Sequence, residues 1–108
     1  MITNLIRPES SAIEFGAGRQ ILKQHLPKSC KYTPSDIASR GLKNVLVCDL
    51  NNSNLPDFDT YDYAVFESVL EYANNVPNLV KHIANSANTI ICPYAHMPLR
   101  PSVIFRSY

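Results

Sequence analysis

Glu14, Gly16 and Gly18 lie within five residues of one another, where the apolar run Ala12 to Phe15 gives way to a helix-like stretch beginning at Arg19. Glycines at alternate positions in a strand-to-helix turn let the backbone take positive φ and let a ligand come close, while the next helix aims unpaired amides at it. That is the chemistry of a nucleotide-type cofactor pocket. Glu14 narrows it, because a carboxylate beside a helix N-terminus discourages a second anion and welcomes a ligand carrying an ammonium or a sulfonium. A Gly-x-Gly turn also occurs as a plain connection, so its meaning depends on what else the fold brings beside it.

Further acids follow successive apolar runs. Asp36 closes Tyr32 to Ser35, Asp49 closes Asn44 to Cys48, Glu67 closes Tyr63 to Phe66, and Pro93-Tyr94 follows Thr89 to Cys92. In a parallel α/β sheet ligands bind at the carboxyl ends of the strands, near the place where strand order reverses. Four acids there repel one another unless solvent or donors separate them, and a ribose diol, an adenine amine and a ligand ammonium are such donors. Asp also caps turns well, which is the alternative reading of Asp36 and Asp49; their coincidence with Glu14 favours a cofactor. His96, after the fifth run, reads first as a surface or partner contact and second as a base. His25 and His82 read as solvated, and Glu71 and Tyr72 as part of a short helix without chemistry.

These residues need elements to position them. Five short apolar runs alternating with helical or loop material read as βα units on a parallel sheet. Arg19 to Leu26 carries Ile21, Leu22 and Leu26 on one side and ends at Pro27, a short amphipathic helix. Pro77 to Asn85 places Leu79, Val80, Ile83 and Ala84 on a core face, with Pro77 in the first turn. Ile37 to Lys43 is too short for a full crossover helix and Gly41 weakens it, so one turn or an irregular connection is expected. Asn51 to Tyr61 reads as a loop. The tail, residues 95–108, contains Pro98 and Pro101 and is expected to be extended, with Val103 to Phe105 as an edge strand or a partner contact.

A chain of 108 residues, 45% apolar and 18% charged, fits a single globular domain over 1–108. No apolar run is long enough to cross a bilayer, and Met1 to Pro8 does not have the form of a secretion signal, so a cytoplasmic location is expected. The net charge is +1 and the ten Lys and Arg are scattered, so no footprint for nucleic acid stands out. Cys30, Cys48 and Cys92 are far apart and odd in number, which fits reduced thiols rather than disulfides or a metal site; Cys48 and Cys92 read as core.

The series Glu14-Phe-Gly16-Ala-Gly18, the acid Asp36, Val45-Leu-Val-Cys-Asp49-Leu50 and Tyr61 to Tyr72 resembles the class I S-adenosylmethionine-dependent methyltransferases over residues 11 to about 94. The resemblance implies a Rossmann-like three-layer sandwich with a mainly parallel sheet of about five strands in the order 3-2-1-4-5, without the last two strands of the full fold. It implies S-adenosylmethionine as cofactor, with Glu14, Gly16 and Gly18 near the methionyl group, Asp36 on the ribose, Asp49 and the Leu50 backbone on the adenine, and Phe66 or Glu67 near the methyl donor. Gln20 replaces a third glycine and is expected to lie inside the helix. Methyl transfer to an unidentified acceptor is the activity implied, with Glu67 or His96 as the base if one is needed; the alternative is a non-catalytic subunit acting through a homo-oligomer or a partner chain. A nicotinamide dinucleotide enzyme is disfavoured, because Ile21 occupies the last glycine of Gly-x-Gly-x-x-Gly and Glu14 opposes a pyrophosphate.

Overall fold

The computed structural model of the chain describes residues 6–52, 54–66, 74–93 and 102–106. Among these the elements run β1 (Ser11–Phe15), α1 (Ile21–His25), β2 (Lys31–Asp36), β3 (Leu46–Val47), β4 (Tyr61–Phe66), α2 (Val76–Ile83), β5 (Ala87–Pro93) and β6 (Ser102–Arg106). They form one sheet in the order β3-β2-β1-β4-β5-β6. The first five strands are parallel, in the expected order 3-2-1-4-5. The tail, expected to be extended, adds β6 antiparallel to β5, with Ile90 opposite Phe105.

Strand pleating divides the apolar residues between two layers, as a sheet covered on both faces requires. Ile13, Phe15, Phe66 and Ile90 face α2 and the loop that follows β3. Ala12, Val65 and Ile91 face α1 and Leu22.

The helices are shorter than their sequence patterns. Leu22 is buried, but Ile21 is 56% exposed and does not join the core as expected. Gln20, expected inside the helix, precedes it with a left-handed backbone at φ 60. With that backbone at Gln20 the helix starts only at Ile21. α2 matches its pattern more closely: Asn75 caps it through Oδ1 to Asn78 N at 3.2 Å, a proline sits in its first turn, and Leu79 and Ile83 are buried.

β3 is only two residues long, where Asn44 to Cys48 was expected. Asn44 is left-handed at φ 63 and begins no strand. On the other side Pro34 has no N–H to donate to a ladder, and pairing with β3 starts one residue later, at Ser35 opposite Leu46.

The loop after β3 is fixed by aromatic and polar contacts. Phe58 meets Phe15 edge-on at 5.4 Å, and Phe15 stacks on Phe66 at 4.9 Å. His82, read from sequence as solvated, instead lies 2.8 Å from the Pro56 carbonyl through Nε2, its ring beside Phe58. At the opposite end of the sheet from the glycine turn, Ser11 N donates to Asp62 Oδ2 at 2.9 Å, joining β1 to β4.

Candidate functional site

The carboxyl ends of β1, β2 and β3 meet at one rim, with Phe15 opposite Ser35 and Asp36 opposite Val47. β4 lies on the other side of β1, so strand order reverses at this rim. The turn leaving β1 is pinned to the end of β2 by two amides: Ala17 N donates to the Ser35 carbonyl and Gly18 N to Asp36 Oδ2, each at 3.0 Å. Gly16 and Gly18 have φ of 73 and 53. A Cβ added at Gly18 would meet nothing within 4 Å, so its backbone conformation, not crowding, calls for glycine there. The same open space leaves the turn approachable by a ligand.

Asp36 ends β2 with a carboxylate that is 13% exposed. Besides Gly18 N it accepts Ile37 N on Oδ1 at 2.8 Å, and Arg40 Nε lies 3.3 Å from Oδ2. Cys48 N donates to the Asp36 carbonyl at 2.8 Å, which draws the end of β3 alongside. Asp49 follows, exposed, its Oδ1 accepting Asn51 N at 2.9 Å in a side-chain turn of the kind its capping reading anticipated. Leu50 packs down onto the core.

Glu14 is placed differently from the other acids. It is 3% exposed, on the α1 face of β1, where the Tyr32 phenol donates to its Oε1. It is buried on that face of the sheet rather than exposed at the rim. Glu67 and His96 lie outside the described residues, as do Glu71, Tyr72 and Tyr94.

Two rim residues escape the sequence reading. Ile37 is 61% exposed directly beside the Asp36 carboxylate, offering an apolar surface next to acceptors. Its signal was an isoleucine immediately after a strand-end acid, in a segment too short and polar to bury it. Arg40 stands four residues after Asp36, the spacing of an ion pair across one helical turn, but the two meet across a turn in which Arg40 and Gly41 are both left-handed, at φ 54 and 75.

A concavity of about 600 Å³ begins at Leu50 and runs between the following loop and α2 to Leu79 and His82. Asparagines from both sides line it, among them Asn51, Asn74 and Asn78, and Asn51 Oδ1 accepts Asn74 N at 2.8 Å, tying that loop to the start of α2. Among the described residues no three His, Cys, Asp or Glu side chains gather to hold a metal ion. No described helix is long and apolar enough to cross a membrane.

The thiols are all free, and Cys92 has no exposed surface. Burial pushes the Cys92 thiol up to about 12. Cys48, expected in the core, is half-buried, and its thiol is raised by burial and then by the charge of Asp49.

No protein-family model matches the sequence. No curated protein matches it either. Solved structures do match the fold. A coclaurine N-methyltransferase bound to N-methylheliamine and S-adenosylhomocysteine superposes with a TM-score of 0.65 at 20% identity, over 82% of this chain and 32% of that one. A structure of the Haloferax volcanii complex between the Trm112 methyltransferase activator and a methyltransferase gives 0.66 at 17% identity, over 81% and 46%. An S-adenosylmethionine-dependent methyltransferase from Aquifex aeolicus gives 0.57 at 16%, over 88% and 64%. The fold is that of the class I S-adenosylmethionine-dependent methyltransferases. The chain spans between about a third and two-thirds of the length of these neighbours.

Proposed function

We propose that the chain binds S-adenosylmethionine across the carboxyl ends of β1, β2 and β3 and presents its methyl group to an acceptor. The observation that carries this reading is the hydrogen bond from Gly18 N to Asp36 Oδ2 at 3.0 Å. It sets an approachable backbone beside a strand-end carboxylate at the point where strand order reverses.

The residues on the rim fit an adenosyl group. An ionised carboxylate only accepts, and a ribose diol offers two hydroxyl donors, so Asp36 is matched to the ribose. Asp49 would accept from the exocyclic amine while Leu50 and exposed Ile37 give the base an apolar surface. Gly16 and Gly18 let the methionyl end lie against the turn. Glu14, two residues before Gly16 and buried on the α1 face, would favour a cationic ligand at the turn by its charge while Tyr32 holds it in place. Glu67, next after β4, is assigned to the methyl-donor side by its position in the chain.

The cofactor would supply an electrophilic methyl group on a sulfonium, open to in-line displacement. The chain's part is then to hold and align the two reactants, and a proton acceptor is needed only when the nucleophile carries a proton. Glu67 and His96 are the proposed candidates for that role. Calorimetric titration with S-adenosylhomocysteine tests the reading: saturable heat is expected, and the absence of both heat and a thermal shift at millimolar ligand would overturn it. Substituting Asp36→Asn should weaken binding by about tenfold to a hundredfold, the usual worth of hydrogen bonds to a charged group.

The solved complex with a methyltransferase activator favours a second reading, in which the chain works as a subunit of a larger assembly. Light scattering and activity assays decide it. A strictly monomeric chain that methylates an acceptor unaided would exclude it.

A further inference from the structure

We propose that Arg40 is a displaceable latch on the Asp36 carboxylate, competing with the ribose diol for the same acceptors; this rests on the adenosyl reading above. Asp36 already receives three donors: Gly18 N at 3.0 Å and Arg40 Nε at 3.3 Å on Oδ2, and Ile37 N at 2.8 Å on Oδ1. A carboxylate has about four lone-pair sites, so a diol donating two hydrogen bonds needs one that is taken.

The three donors are not equally able to leave. Gly18 N and Ile37 N are backbone groups, the first fixed by the turn that Ala17 N pins to the Ser35 carbonyl and the second adjacent to Asp36 in the chain. Arg40 is a long side chain, 60% exposed, reaching the carboxylate through Nε. It is the donor that a ligand can replace.

Its position is nevertheless built into the fold. Leu42 N donates to the Ser39 carbonyl at 2.9 Å, closing a turn in which Arg40 and Gly41 are both left-handed. A non-glycine residue rarely adopts that backbone, and here it sets a guanidinium against the acid that the ribose requires. Arg40 thereby lowers affinity for the adenosyl group without touching the glycine turn, and its hold depends on ionic strength as that of an exposed ion pair does.

Titration of S-adenosylhomocysteine into the wild type, Arg40→Ala and Arg40→Lys, each in low and high salt, tests this. This ligand is zwitterionic, so bulk screening of its own net charge contributes little. At low salt Arg40→Ala should bind about threefold more tightly than wild type, the ratio falling toward one in about 0.5 M salt as the pair is screened. Arg40→Lys, which keeps the charge without the guanidinium, should fall between the two. Equal or weaker binding by Arg40→Ala at low salt, with the wild type still binding, overturns the latch and leaves the adenosyl site standing; no binding by any of the three overturns both.

Discussion

Asp36 differs from Asp49 in how thoroughly its carboxylate is held. Its carboxylate joins the glycine turn, its own following amide and Arg40, whereas the Asp49 carboxylate accepts Asn51 N in a local turn on an exposed loop. The Asp49 contact is the local turn that its capping reading allowed, while Asp36 also ties the end of β2 to the turn leaving β1. Cys92 shows what burial does to a titrating side chain. Its thiol, pushed up to about 12, keeps a proton in the folded chain that the unfolded chain releases above its ordinary value of 9.0. The raised value therefore contributes stability that is complete below about pH 9 and is lost as pH rises toward about 12, by up to about 1.4 kcal/mol per unit. Urea unfolding at pH 8 and pH 10.5 should show wild type losing about 2 kcal/mol more than Cys92→Ala. A parallel loss in both would assign the alkaline sensitivity to other groups.

The turn between β1 and α1 shows how far an element can be read from its residues. Strand, glycines and helix were legible because apolar runs, left-handed glycines and an amphipathic period each leave a local pattern. Gln20 was not, because glutamine is a good helix former and nothing nearby announces a left-handed backbone. β3 was overread for a related reason: Val45 to Cys48 has strand composition, but Asn44 and Pro34 limit where pairing can start. Arg40 and His82 were missed because their partners, Asp36 and the Pro56 carbonyl, come to them through turn geometry and a loop crossing. The turn also yields a paired test of backbone strain. Gly18→Ala should cost about 1 to 2 kcal/mol although its Cβ would meet no atom, since the penalty belongs to the left-handed backbone. Gln20→Gly should stabilise by about 0.5 kcal/mol, the relief of the same strain less the added chain entropy. Thermal unfolding of both variants measures it; a harmless Gly18→Ala would mean that the turn can relax.

At the scale of the whole molecule, the rim stands on the layer of side chains between the sheet and α2. Phe15 is its joint: it stacks on Phe66 of the neighbouring strand and takes the edge of Phe58 from the loop after β3, and it directly precedes Gly16. One side chain thus couples β1, β4 and the loop that carries Asp49, while His82 secures that loop from the other side through the Pro56 carbonyl. The two ties differ in kind. Phe15→Ala should cost about 3 to 4 kcal/mol, because it removes a fully buried ring and leaves a cavity, a large part of the 5 to 15 kcal/mol roughly typical of a native domain. His82→Ala should cost only about 1 kcal/mol, the net worth of a single partly exposed hydrogen bond. Chemical denaturation separates them, and Phe15→Leu, which fills most of the space, should recover most of the loss if the ring acts by packing. Similar costs for Phe15→Ala and His82→Ala would mean that the loop, and not the aromatic stack, carries the connection between the core and the rim.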